Sequence, residues 1–131
     1  MDEIRAGAHA DREHVVGPDD TAHALGSGDL PVLATPRLLA WCEAATCAAL
    51  ELSLDPAETG VGVRVDLRHV APSALGETVR VRAEVTAVDG RAVTFDVVAT
   101  DRHEREVARG EVERVVVDRA RFLDRLGLAD G

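Results

Sequence analysis

Between residues 77 and 100 apolar and polar side chains alternate with a period of two. Val79, Val81, Ala83 and Val85 fall on one side, with Arg80, Arg82 and Glu84 on the other. After Asp89 and Gly90 the alternation resumes with Val93, Phe95, Val97 and Ala99. A period of two is the pattern of a pleated strand with one buried face, and Asp-Gly is a strong hairpin signal. Two antiparallel strands are therefore expected at 77–88 and 91–100. Residues 61–70 alternate as well, which sends Val63, Val65, Leu67 and His69 inward and Arg64, Asp66 and Arg68 outward. A turn near 101–104 leads to another strand at 106–117. An opening strand at 8–16 stops at the turn signal Gly17, Pro18, Asp19, Asp20. Arg64, Arg68, Arg80, Arg82 and Arg114 are expected on solvated strand faces.

The period changes once over a long stretch. From 36 to 54 the apolar positions Leu38, Trp41, Cys42, Ala45, Ala48, Ala49 and Leu52 follow helical spacing. The remaining positions include Leu39, Ala40, Ala44 and Leu50, so little polar surface is left and a core helix is expected. Thr35 before Pro36 reads as an N-cap followed by the first helical residue. Residues 21–33 read as loop with a short helical turn, and 118–128 as a closing helix capped by Asp118 and ended at Gly127. The fold class is α+β: an antiparallel β-sheet wrapped around one long central helix, the arrangement of the hotdog fold.

Composition adds limits. A chain of 131 residues, 46% hydrophobic and 30% charged, suits one globular domain over 1–131. The net charge of −9, from 15 basic and 24 acidic residues, argues against a nucleic-acid partner. Glu43 and Glu51 interrupt the longest apolar run, so no transmembrane segment is expected. The polar, acidic N-terminus is unlike a signal peptide, and a cytoplasmic protein is expected. There is no lysine and no tyrosine, which excludes Schiff-base lysine and tyrosine acid catalysis. Cys42 and Cys47, five residues apart on one helix, point in different directions; both are expected to be buried and unbridged. The five histidines are scattered without ligand spacing, so neither a metal nor another cofactor is expected.

Candidate chemistry lies where polar groups interrupt apolar surroundings. Glu43 sits among Leu39, Trp41, Cys42, Ala44 and Ala45; without a polar partner its charge is costly. His69 shares the inward side of its strand and can approach a glutamate on the opposing helix. Thr35 can cap the helix and still meet a substrate or Glu43. Gly62 relieves crowding at the start of its strand.

The combination of Ala34-Thr35-Pro36 before the helix, Glu43 eight residues after Thr35, and Arg68-His69 at 25 and 26 residues after Glu43 resembles the fluoroacetyl-CoA thioesterase group of hotdog proteins. Gly76-Glu77-Thr78-Val79 and Val88-Asp89-Gly90 follow in the same order, and the similarity spans about residues 7 to 125. The resemblance implies a homodimeric acyl-CoA hydrolase with active sites at the dimer interface. It implies catalytic roles for Thr35, Glu43 and His69, with Gly62 beside the thioester carbonyl, its backbone N–H free to meet an oxyanion. Glu43 would activate water or attack the thioester directly. Arg68, next to His69, is the first candidate for the local positive patch that polyanionic CoA requires on an acidic protein.

Two positions depart from that group. On the last strand its Gly-Thr-His-Glu-Arg pattern becomes Gly110-Glu111-Val112-Glu113-Arg114. Its phenylalanine-rich gate before the helix is replaced by Leu30, Pro31, Val32 and Leu33, so fluoroacetate specificity does not carry over. The expected activity is hydrolysis of a small or medium acyl thioester. The alternatives are a hotdog hydratase or dehydratase, for which no paired Asp and His motif stands out, and a non-catalytic acyl-thioester binding module.

Overall fold

The computed structural model describes residues 3–128. The N-terminal reading above also covers Met1 and Asp2, which lie outside them. Five strands form one antiparallel sheet: β1 (His9–Val15), β2 (Glu58–His69), β3 (Thr78–Asp89), β4 (Ala92–Asp101) and β5 (Glu106–Asp118), in the spatial order β1-β3-β4-β5-β2. A short helix α1 (Ala22–Leu25) and the long helix α2 (Thr35–Glu51) separate β1 from β2, and α3 (Arg119–Arg125) closes the chain. Helix α2 lies across the inner face of the sheet. This is the α+β arrangement expected from the two periodicities.

The strands form where alternation is cleanest. Val79, Val81, Ala83 and Val85 of β3 and Val93, Phe95, Val97 and Ala99 of β4 are buried, and each has its polar neighbours on the outer face. They meet Leu38, Trp41, Cys42 and Ala45 of α2 in one cluster, and Ala49 and Leu50 in a second cluster around Phe95 and Val116. Asp89 pairs with Ala92, so the hairpin loop is Gly90-Arg91, one residue later than the Asp-Gly signal suggests. Gly90 takes φ 60°, a conformation that glycine adopts without steric penalty. At the other end, the Asp118 carboxylate accepts from Arg121 N and caps α3 as expected.

Four expectations change. Val63 is 55% exposed because the β2–β5 register shifts between Gly62 and Arg64. This bulge inverts the face on which alternation continues, so Gly60 and Gly62 point inward before it and Val65, Leu67 and His69 after it. Helix α2 ends at Glu51; Leu50 is buried and Leu52 is 92% exposed, the reverse of the helical-spacing reading. The helix is not covered all round, since Ala40, Ala44 and Cys47 are exposed; Cys42 is buried but Cys47 is not. Arg114 lies on the inner face, in phase with Val112 and Val116, and is only 8% exposed.

Candidate active site

Thr35 is the first residue of α2 rather than its cap. Ala34 occupies the N-cap position and no side-chain cap bond forms. The Thr35 hydroxyl is instead 2.8 Å from Nδ1 of His69. The bulge in β2 makes this meeting possible, because it sets the last turns of that strand with His69 facing the start of the helix. Which partner donates depends on the imidazole tautomer. The other ring nitrogen, Nε2, is buried and has no hydrogen-bond partner among the described residues. Burial lowers the His69 pKa below the ordinary histidine value, with the nearby Ala71 backbone pulling the other way. The imidazole is therefore favoured in its neutral form, with one nitrogen engaged and one free. The pair borders a cleft of about 330 Å³ shaped by Ser27, Val32, Leu33, Val70 and Pro72.

Glu43 lies two helical turns further along α2, about 12 Å at 1.5 Å per residue. Its carboxylate rests against Gly62, where a Cβ would come within 2.6 Å of Oε2. Arg114, the register partner of Gly62 on β5, places Nη1 3.4 Å from the same oxygen. The Glu43 side chain is one-third exposed and the Arg114 side chain is buried, so the pair spans the boundary between core and solvent. The neighbouring Cys42 thiol is pushed up to about 12, by burial first and then by the Glu43 charge. At neutral pH it is a packing group rather than a nucleophile.

The sequence candidates thus form two pairs, Thr35 with His69 and Glu43 with Gly62. No hydrogen bond or ion pair joins Glu43 to His69 among the described residues. Arg68 belongs to neither pair; it projects from the outer face of the sheet, beside Asp66, Asp96, Arg109 and Glu111. The neighbour of Glu43 that sequence reasoning placed on a solvated face is Arg114. The signal was available, because counting by twos from Val112 to Val116 puts Arg114 inside.

Comparison with known proteins places this geometry in context. The FlK family model, described as fluoroacetyl-CoA-specific thioesterase, matches residues 16–120. The fluoroacetyl-CoA thioesterase of Streptantibioticus cattleyicolor is 31% identical over 127 residues, covering 92% of this chain and 91% of that protein. A thioesterase superfamily member from Thermus thermophilus superposes with a TM-score of 0.89 at 30% identity, covering 97% of this chain and 96% of the other. A mutant of the fluoroacetyl-CoA-specific thioesterase FlK, solved with fluoroacetate and CoA, gives a TM-score of 0.82 at 30% identity, covering 91% and 99%.

Proposed function

The chain belongs to the fluoroacetyl-CoA-specific thioesterase family, thioester hydrolases of the hotdog fold, and from that premise we propose that it hydrolyses a small or medium acyl thioester of CoA at a site built from Glu43, Gly62, Thr35 and His69. The observation that carries this reading is the carboxylate of Glu43 seated against the backbone of Gly62, where a glycine alone leaves it room. Water loses a proton to Glu43 as its oxygen attacks the thioester carbonyl carbon. The Gly62 N–H, at the bulge of β2, meets the oxyanion that develops. Collapse of that intermediate breaks the C–S bond, and the proton taken by Glu43 passes through the free ring nitrogen of His69, held by Thr35, to the departing thiolate, which returns both groups to their starting states. The products are a carboxylic acid and free CoA.

Because the two pairs sit eight residues apart on α2 and are not bonded to each other, one protomer supplies the parts of a site without joining them. The reading therefore includes a homodimer. Its support is an open sheet edge at β2, which carries both Gly62 and His69, beside the exposed Ala40, Ala44 and Cys47 of α2. An interface along that edge would set Thr35 and His69 of one protomer toward Glu43 and Gly62 of the other. Arg68, on the outer face, remains the candidate contact for the CoA phosphates. A cytoplasmic setting, with Cys42 and Cys47 kept as free thiols, completes the reading.

The acyl group is not assigned as fluoroacetyl, since Leu30, Pro31, Val32 and Leu33 occupy the gate segment. The test is thiol release across a panel of acyl-CoA esters that includes fluoroacetyl-CoA, comparing wild type with Glu43→Gln and His69→Ala. Losses of about 100-fold or more in kcat are expected for both variants, the scale of general acid–base catalysis. If no acyl thioester releases thiol, the enzyme reading fails. Equal activity in all three proteins would remove the site while leaving the fold intact.

A further inference from the structure

Arg114 is a buried cation on the inner face of the sheet, and hydrolysis as described above gives it no step. Its guanidinium is held at three points: Nη2 donates to the Gly60 carbonyl at 3.1 Å, and Nη1 lies 3.4 Å from Glu43 Oε2 and 3.5 Å from Thr46 Oγ1. The Thr46 hydroxyl in turn donates to the Glu43 backbone carbonyl at 2.6 Å. The residues around the guanidinium leave space for it. A Cβ on Gly60 would approach Arg114 Nε to 3.4 Å and Leu50 Cδ2 to 2.7 Å, and a Cβ on Gly62 would approach Nη1 to 3.5 Å. Two glycines on β2 and a small hydroxyl residue on α2 thus make room for one buried cation and one carboxylate.

Burying a guanidinium costs several kcal/mol unless its partners are well placed, so this arrangement is poor value as packing. Resting on the assignment of Glu43 as the reacting carboxylate, we propose that Arg114 is a positioning residue that binds Oε2 of Glu43, leaving Oε1 as the oxygen that takes the proton from water. The β2 backbone holds the guanidinium through the Gly60 carbonyl, so the carboxylate is oriented by the sheet and not only by its own helix.

The surroundings leave Arg114 as the one cation in contact with this carboxylate among the described residues. From α2 the ionisable neighbours are Cys42 and, one turn on, Cys47, neither of them a cation. The facing residue of β2 is Gly62. The inner faces of β3, along Val79–Val85, and of β4, along Val93–Ala99, carry only valine, alanine and phenylalanine. On β1, His14 is stacked on Trp41 at 4.4 Å.

The test compares Arg114→Gln and Arg114→Lys with wild type in kcat and KM, with circular dichroism and thermal melting to establish that each variant is folded. Arg114→Gln is expected to lower kcat about tenfold or more with KM within about threefold, because the carboxylate loses the partner that orients it. Arg114→Lys keeps a cation but not the planar fork, so kcat should fall less than in Arg114→Gln, again with KM little changed. In a Glu43→Gln background, Arg114→Gln should have no further effect on kcat. A folded Arg114→Gln protein with unchanged kcat, beside an inactive Glu43→Gln, overturns this inference alone. Full activity of Glu43→Gln overturns both the site and the inference. If Arg114→Gln does not fold, Arg114→Lys decides: a loss in kcat that persists undiminished in the Glu43→Gln background overturns the proposal.

Discussion

Thr35 shows how one hydroxyl can be claimed by two roles, of which the structure realises one. A capping threonine contributes about 1 kcal/mol to its helix, whereas a threonine bonded to an imidazole contributes little to helix stability. Thr35→Ala is therefore expected to shift the unfolding free energy by less than about 0.5 kcal/mol while lowering kcat/KM at least about tenfold, with Thr35→Ser retaining most activity. Urea unfolding and thiol release on the same preparations check both halves. A loss of about 1 kcal/mol with unaltered kinetics would restore the cap. Gly62 offers a second residue-scale test. Alanine there puts a Cβ 2.6 Å from Glu43 Oε2, the movable end of a side chain, so Gly62→Ala should fold but displace the carboxylate and lose most activity.

At the scale of elements the pairing of β2 with β5 carries the site, because it brings Gly62 opposite Arg114 and sets the bulge that turns His69 inward. Gly110 of β5 faces the β2 backbone with no room for a side chain. A Cβ on Gly110 would meet the Asp66 carbonyl far inside contact distance, with Leu67 Cα at 2.9 Å, and backbone on both sides cannot yield. Gly110→Ala is expected to destabilise the fold by about 3 kcal/mol or more, among the largest single-substitution effects, read as a lower urea midpoint or failure to fold. A variant with a midpoint within error of wild type would show that the strands can separate without loss. The strand itself was legible from alternation. The bulge was not, since one extra residue at 62–64 leaves no compositional mark beyond a glycine. For that reason Val63 was assigned inward and the inward turn of Gly60 and Gly62 was missed. Helix α2 was legible from its period of 3.6, but its exposed side was not, because alanine is compatible with core, surface and interface alike.

For the whole molecule, two partly buried imidazoles couple stability to pH. Burial lowers the His14 pKa first, with Asp20 opposing and Arg12 reinforcing, and burial likewise lowers that of His69. Between those lowered values and the unfolded value of about 6.5, the unfolded chain binds more protons than the folded one, so stability rises with pH. The contribution is complete above about pH 6.5 and is lost as pH falls through the folded pKa values. Urea midpoints should therefore drop on acidification below that point, and the drop should be smaller in His69→Gln than in wild type. An equal drop in both proteins would remove His69 from the effect. The proposed dimer has its own test. If Thr35 and His69 act with Glu43 across the interface, mixing inactive His69→Ala and Glu43→Gln chains after reversible unfolding should restore activity, to about a quarter of wild type for random pairing into two-site dimers. A mixture as inactive as its components would assign each site to one protomer.

The sequence by itself determined the element types and the α+β class, because periods of two and 3.6 are properties of local backbone geometry. It also brought forward Thr35, Glu43 and His69, since polar positions stand out in an apolar helix and strand, and Gly62 through the family resemblance. Only the tertiary structure decided which of these meet. Thr35 bonds His69 and not its own helix end, Glu43 meets Gly62 and Arg114, and Arg68 stays on the far face of the sheet. The physical reason is that pairing depends on register. One bulge in β2 reverses the inward side along the strand, and the phase of β5 carries a charged residue into the core, where its carboxylate partner is 71 positions away in the chain.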